Sequence, residues 1–496
     1  MSGEMDFYKI LGVTRDAVPE EIRAAYFKLA QRYHPDANPD PGIQEQFLSI
    51  QDAYAVLSNM ERRMDYEKNL PPIPPLPDIS VHCKYSRTII PYLDEPQLVY
   101  ALLELVCTAE LDRAHYPPVH VCLVVDRSTS MLGERMDMVK ANISQFLKMQ
   151  KPTDLISVVT FSDRAEVVIP PSRVSDPVQM ESLIGKISTG GGTEILSGLE
   201  MGLAQLLASK GAQRVRHLIL LTDGHTYGDE QACYEFAGRA SREGVSINAL
   251  GIGYEWDDAF LDRMTSMSGG YTLYVTSPND LFHFLEQKQR SLSTVYARKI
   301  SFSFESSPQV ELKYAFRMNQ EVGPIQVTSP ISLGDLLFGK SLVILLEFLI
   351  PPFTKEMNEI LLAEGRLVMD ITTREGEEAR WRLKLALDVR PDPEPEQPAP
   401  AIIEAMSHLS LYRLQDKARY EVASGNVSQA TRHLQYLATH LLAQGNRKMA
   451  HDVLIEAEYI QQNRKFSQEG DKRIKYGTRS LLLLPGAELK TNDPLS

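Results

Sequence analysis

Cysteine, long apolar runs and basic charge are all scarce in this chain, and each scarcity removes a class of protein. Its four cysteines, Cys83, Cys107, Cys122 and Cys233, show no paired spacing, and Cys122 lies inside an apolar strand pattern. That excludes a disulfide framework and a cysteine-based zinc module, and predicts reduced core residues. The longest apolar stretches, Leu98–Cys107 and Leu342–Ile350, are interrupted by Glu104 and Glu347. Both are too short to cross a bilayer, so no membrane partner is expected. Lys and Arg total 52 against 65 Asp and Glu, a formal net charge of −13. Phosphate binding needs a basic surface, so nucleic acid is not expected as a partner, and the charge is read as serving solubility. No signal-peptide pattern opens the chain, and a cytoplasmic location is expected. What is present, 43% hydrophobic and 24% charged residues over 496 positions, is ordinary for globular protein and points to three or four domains.

The most informative feature is His34-Pro35-Asp36. Upstream, Pro19-Glu20-Glu21 opens a helix, with proline at its first position and carboxylates at the positive end of its dipole. Apolar residues follow at Ile22, Tyr26, Leu29 and Tyr33, the spacing of one buried face. Pro35 stops that helix, and Asn38-Pro39-Asp40-Pro41-Gly42 makes a loop. Phe47, Ile50, Tyr54 and Leu57 begin a second stripe, which predicts an antiparallel helical hairpin with His34 and Asp36 at its tip.

From Asp6-Phe7-Tyr8-Lys9-Ile10-Leu11-Gly12-Val13 through Glu61-Arg62-Arg63-Met64-Asp65-Tyr66, this segment resembles the J-domain of DnaJ-type co-chaperones. The resemblance implies docking on a DnaK-type chaperone and stimulation of its ATP hydrolysis, so the chain is expected to control an ATPase and not to be an enzyme. His34, Pro35 and Asp36 are the implied docking residues, with Arg23, Lys28 and Arg32 on the preceding helix. That helix is less basic than is usual in the family, because Glu20, Glu21 and Gln31 dilute it, and Asn59 stands where the family often has aspartate.

Residues 1–70 therefore read as an all-α J-domain. Five prolines within Pro71–Pro77 mark 71–78 as an extended linker of roughly 20 Å. Residues 118–297 alternate apolar strands with amphipathic helices, the pattern of a doubly wound, Rossmann-like α/β domain. The flanks, 79–117 and 298–390, carry alternating strand patterns such as Arg380–Leu387. They are expected to pair into one β-sandwich with the α/β domain inserted; two separate β units are the alternative. Residues 391–400 form an acidic, proline-rich linker. In 401–466, helical patterns over Ile402–Ser424, Val427–Ala443 and Arg447–Gln461 are punctuated by Gly425-Asn426 and Gly445-Asn446. Their even spacing resembles tetratricopeptide architecture, and a three-helix bundle fits equally. Residues 467–496 read as a tail, with Leu481–Leu484 expected to cover an apolar groove of the same molecule.

Within the α/β region, the buried-strand run Val119–Val125 ends in Asp126-Arg127-Ser128-Thr129-Ser130. A second such strand, His217–Thr222, ends in Asp223-Gly224, and the loop Thr189-Gly190-Gly191-Gly192-Thr193 feeds the helical stretch Glu194–Leu207. Ligands bind open α/β sheets at the carboxyl ends of strands, where these three segments should meet. Two carboxylates and three hydroxyls, without histidine or cysteine, suit Mg2+ or Mn2+. This resembles the von Willebrand factor type A (VWA) domain and its metal-ion-dependent adhesion site. The resemblance implies that Ser128, Ser130 and Thr193 coordinate directly and that Asp126 and Asp223 act directly or through water. It also implies that an acidic side chain of a protein partner completes the shell, and it makes an AAA ATPase a possible further partner.

Gly334-Asp335-Leu336-Leu337-Phe338-Gly339-Lys340-Ser341 matches a phosphate-binding loop in spelling. That chemistry needs a helix starting at the lysine, whereas Leu342–Ile350 reads as a strand, so a turn between sandwich strands is expected. Neither His217 nor His225 makes a catalytic triad with Asp223 and Ser128. The expected function is a co-chaperone that targets a DnaK-type ATPase to partners held at the VWA site. An assembly scaffold built on that domain is the alternative.

Overall fold

The computed structural model describes residues 7–13, 17, 19–33, 41–59, 62–63, 65–66, 78–109, 117–209, 214–224, 228–353, 357–373 and 378–483. The chain divides into two compact units, Met1–Pro75 and Leu76–Ser496.

The first unit contains helices Phe7–Leu11, Pro19–Arg32 and Pro41–Leu57. Tyr8, Leu11, Ile22, Ile50, Ala53 and Leu57 are buried together. The rings of Tyr26 and Tyr54 stack at 4.1 Å, joining the middle of the second helix to the later part of the third. Arg63 closes the unit: its Nε donates to the Tyr8 hydroxyl at 2.8 Å and its Nη1 to the Ala17 carbonyl at 3.0 Å.

The second unit opens with strands β1 (Ile79–Tyr85), β2 (Ile89–Ile90) and β3 (Gln97–Cys107). An α/β segment follows with β4 (Val119–Asp126), β5 (Leu155–Phe161), β6 (Ala165–Ser172), β7 (Val215–Thr222), β8 (Val245–Ile252) and β9 (Thr272–Val275). Strands β10 (Val295–Glu305), β11 (Glu311–Arg317), β12 (Gly323–Ile325), β13 (Ile331–Leu337), β14 (Ser341–Ile350), β15 (Glu359–Ile371) and β16 (Glu378–Val389) complete the sheets.

Two of the three sheets mix strands from both sides of the α/β segment, in the orders β1-β3-β14-β11-β12 and β13-β10-β15-β16-β2. Val99 stands opposite Phe348 and Leu103 opposite Ile344, so the flanks share one ladder and one core. Two separate β units are thereby excluded. Strand β14 is apolar at consecutive positions because both of its faces are covered. Ile344, Leu346 and Phe348 enter the sandwich core, while Val343 and Leu345 meet Ile402, Leu409 and Tyr412 of the helix Pro400–Ala423.

The inserted sheet has the order β6-β5-β4-β7-β8-β9, parallel except for the edge strand β6. Helices Glu134–Lys148, Pro177–Gly185 and Pro278–Leu292 cover one face through Val139, Ile143, Ile184 and Leu285. Helices Ile195–Ala208, Glu230–Arg242 and Asp258–Met267 cover the other through Leu199, Phe236 and Leu261. Chain order departs in both directions from β4, which puts the switch point at its carboxyl end.

The C-terminal helices Val427–Ala443 and Arg447–Asn463 pack with Pro400–Ala423 around Leu434, Leu437, Leu441, Val453 and Ile460. The segment from Ser467, read in the sequence as a tail, contains a fourth helix, Gln468–Ser480. Its buried positions include Lys472, Lys475 and Arg479, so it lacks the apolar period that marks a helix in sequence. After it, Leu482 is buried beside Phe316 and Leu345, whereas Leu483 is exposed and Leu484 lies outside the described residues. The proline-rich segment before these helices is tied to the sandwich, since Glu396 accepts from the Thr88 amide and hydroxyl. No helix among the described residues is long and apolar enough to cross a membrane.

Candidate functional site

Strand β4 ends with Asp126, and a single 3-10 turn, Thr129–Met131, carries the chain over the end of the sheet to the helix Glu134–Lys148. Asp126 is fully buried. Its Oδ1 accepts from the Ser128 amide at 2.8 Å and its Oδ2 from the Thr222 hydroxyl at 2.6 Å. The Ser128 and Ser130 hydroxyls lie 3.0 Å apart, and Ser130 Oγ donates to Asp223 Oδ1 at 2.7 Å. Burial raises the Asp126 carboxyl above its ordinary value; hydrogen bonds from Thr222 and Ser128 oppose this, and the charge of Asp223 adds to it.

Thr193 arrives on the glycine loop. The Thr129 hydroxyl donates to the Gly191 carbonyl at 2.9 Å, and the Gly190 amide donates to the Arg127 carbonyl at 2.7 Å, so the loop lies against the turn after β4. Gly191 has a φ of +88°, and a Cβ there would sit 2.5 Å from Asp163 Oδ2, so two separate constraints require glycine. Asp163 Oδ1 also accepts from the Gly192 amide at 2.7 Å. At Gly224 a Cβ would meet Thr193 Oγ1 at 3.2 Å and Asp126 Oδ2 at 3.6 Å. That backbone therefore passes directly beside both donors, and a side chain there would crowd the space between them.

All five residues singled out in the sequence, Asp126, Ser128, Ser130, Thr193 and Asp223, lie together at the carboxyl end of the central strands. Their donors are all oxygen. Such a set fits a hard divalent cation, and Gly224 brings backbone alone beside Thr193 and Asp126. Among the described residues, no group of three or more His, Cys, Asp or Glu side chains could hold a metal ion, and at this site the two carboxylates are joined by hydroxyls.

Three participants carry no signal of spacing. Thr222 precedes Asp223 and binds Asp126, Asp163 braces the glycine loop, and Arg135 reaches Asp223 from the helix beyond the turn. His225 lies outside the described residues.

In the first unit, His34, Pro35 and Asp36 lie outside the described residues. Arg23, Lys28 and Arg32 are exposed on the helix Pro19–Arg32. Arg23 and Arg32 rest over the rings of Phe27 and Tyr33 at 5.7 Å and 5.6 Å. The phosphate-loop look-alike joins β13 to β14 by a turn with Gly339 at φ +62°, and its Leu336 and Leu337 are buried. A strand, not a helix, follows Lys340, so the phosphate cradle is missing.

Family models match in three places: the DnaJ domain at 6–67, the von Willebrand factor type A domain at 120–287, and the Sll0103-like, C-terminal alpha-helical domain at 400–484. The last match spans all four C-terminal helices. An uncharacterized protein of Synechocystis, sll0103, is 29% identical over 239 residues, which are 46% of this chain and 56% of that protein. A chaperone protein DnaJ of Methanosarcina thermophila is 52% identical over 68 residues, 14% of this chain and 18% of that protein. The chain thus spans just over half the length of the first relative and under a fifth of the second. Among solved structures, a von Willebrand factor type A protein from Catenulispora acidiphila superposes with a TM-score of 0.63 at 14% identity. It covers 81% of this chain and 96% of its own length, a likeness of fold.

Proposed function

We propose that this chain, which carries a DnaJ domain and a VWA domain, is a co-chaperone that brings a DnaK-type chaperone to protein partners captured at a divalent metal ion. The observation that carries the capture step is the meeting of Asp126, Ser128, Ser130, Thr193 and Asp223 beside Gly224, where a side chain would intrude. Ser128, Ser130 and Thr193 would hold Mg2+ or Mn2+ directly, and Asp126 and Asp223 directly or through water. The ion supplies a positive charge whose shell an aspartate or glutamate of the partner completes. The Thr222 hydroxyl and the Ser128 amide keep the Asp126 carboxylate oriented, and Asp163 keeps the glycine loop in place.

The delivery step rests on the DnaJ-domain likeness. His34, Pro35 and Asp36, with Arg23, Lys28 and Arg32, would dock the chaperone and stimulate its ATP hydrolysis. The chain itself then performs no catalytic step. One covalent chain raises the local concentration of chaperone at the captured partner without any new contact. An AAA ATPase is a further partner that the VWA likeness makes reasonable, although no residue of the site selects it.

Isothermal titration with MgCl2 tests the capture step. With acetate present to supply a carboxylate, the native chain should bind one ion, and Asp126→Ala, with its fold checked by circular dichroism, should bind none. Absence of binding by the native protein, or equal binding by the two, contradicts the assignment.

A further inference from the structure

Asp223 is held from two sides. Ser130 Oγ donates to one carboxylate oxygen, and Arg135 Nη1 donates to the other. Asp223 is fully buried, whereas the Arg135 side chain is 28% exposed. The same Nη1 lies 3.1 Å from Glu255 Oε2 and 3.4 Å from the Ser130 carbonyl. On its far side the guanidinium passes Gly253, where a Cβ would stand 3.1 Å from Nη2 at a φ of +70°. Arg135 therefore has a defined seat between the two strand-end loops and the helix that carries it. It is no solvent-swept side chain that happens to reach a carboxylate.

The charge has a consequence for the cation proposed above. The guanidinium offsets part of the carboxylate charge, so a divalent ion entering the site meets less attraction than Asp126 and Asp223 would offer alone. Once bound, the ion and Arg135 outweigh the two buried carboxylates, since Glu255 is half-exposed and screened by solvent, and an incoming carboxylate restores the balance. We infer that Arg135 is a built-in competitor for the metal that couples its binding to that of an acidic ligand, so that neither binds well without the other. This rests on the metal reading of the site. It adds that the site is tuned for joint capture and is not a tight metal store.

Mn2+ affinity of the full chain, measured by the loss of the free-ion paramagnetic resonance signal with and without acetate, tests the inference. The native chain should bind Mn2+ weakly alone and more tightly with acetate. Arg135→Gln keeps a hydrogen-bond donor but no charge, and should bind Mn2+ alone about tenfold more tightly with a smaller acetate effect. Arg135→Lys should resemble the native chain. Glu255→Gln, at a half-exposed position, leaves the guanidinium to Asp223 and should weaken Mn2+ binding, which keeps the test open if Arg135→Gln does not fold. Equal or weaker binding by a folded Arg135→Gln overturns the inference while the metal site stands, as does unchanged binding in Glu255→Gln. Failure of the native chain and every variant to bind Mn2+, with or without acetate, overturns the metal reading and the inference together.

Discussion

His120 shows how a single buried side chain sets a pH limit for the domain that carries the site. It lies in the middle of the sheet on β4, fully buried, with its ring nitrogens 2.9 Å from Ser209 Oγ and 2.8 Å from Ser157 Oγ. Burial, and then the charges of Arg214 and Arg216, lower its pKa from 6.5 to about 4. The unfolded chain therefore binds the extra proton first, and stability is lost as pH falls from about 6.5 towards 4. The loss amounts to roughly 3 kcal/mol from this group. His217, lowered mainly by its burial, adds to the slope in the same direction. Urea unfolding at pH 7.5 and pH 4.5 should show that loss, and His120→Gln should flatten it; a pH-independent midpoint in the native chain contradicts this account. At this scale the sequence was legible where a donor sits in a motif. Asp126, Ser128 and Ser130 are evenly spaced after a strand, and Thr193 ends a glycine run. Arg135, Thr222 and Asp163 were not legible, because their partners lie far away in the chain and ordinary residue types announce nothing.

The element that the sequence concealed is the helix Gln468–Ser480. Arg479 pairs with Asp262 at 2.6 Å, Lys475 lies 2.7 Å from Asp262 and also binds Asp258, and Arg419 reaches Asp258 at 2.9 Å. Lys472 Nζ sits 3.9 Å from the centre of the Trp256 ring, and the Tyr476 ring packs against Trp256 at 5.5 Å. Its buried face mixes Ile474 and Tyr476 with Lys472, Lys475 and Arg479, so a stripe of aliphatic residues does not announce it. Asp262→Asn leaves Arg479 buried without a counter-charge and Lys475 with Asp258 alone, and should cost about 3–5 kcal/mol. Hydrogen exchange should then show residues 468–480 losing protection first; unchanged protection contradicts the clamp. Burial alone would raise the Asp258 carboxyl, but Lys475 and Arg419 outweigh it and bring it down to about 2. Its contribution is complete above about pH 4 and lost as pH falls through about 2. In a Trp381→Phe background, which leaves Trp256 as the one remaining tryptophan, fluorescence should report release of the helix in that window. A signal unchanged down to pH 2 contradicts it.

For the molecule as a whole, the sandwich was legible because strand patterns stand on both sides of an α/β pattern, and a half-covered sheet needs a partner. The sequence could not tell which strand meets which, since pairing β3 with β14 depends on the inserted domain bringing its two ends together. The C-terminal helices were visible, but their seat on the outer face of the sheet containing β3 and β14 was not, although the apolar run of β14, broken only by Glu347, is its consequence. In function, the central claim is that one chain joins chaperone recruitment to metal-dependent capture. Steady-state ATP turnover by a DnaK-type chaperone, with the native full chain and with His34→Gln beside it, tests that claim most directly. The account predicts that the native chain raises turnover and that His34→Gln, equally folded, does not. Turnover unchanged by the native chain, or raised equally by both, would contradict it.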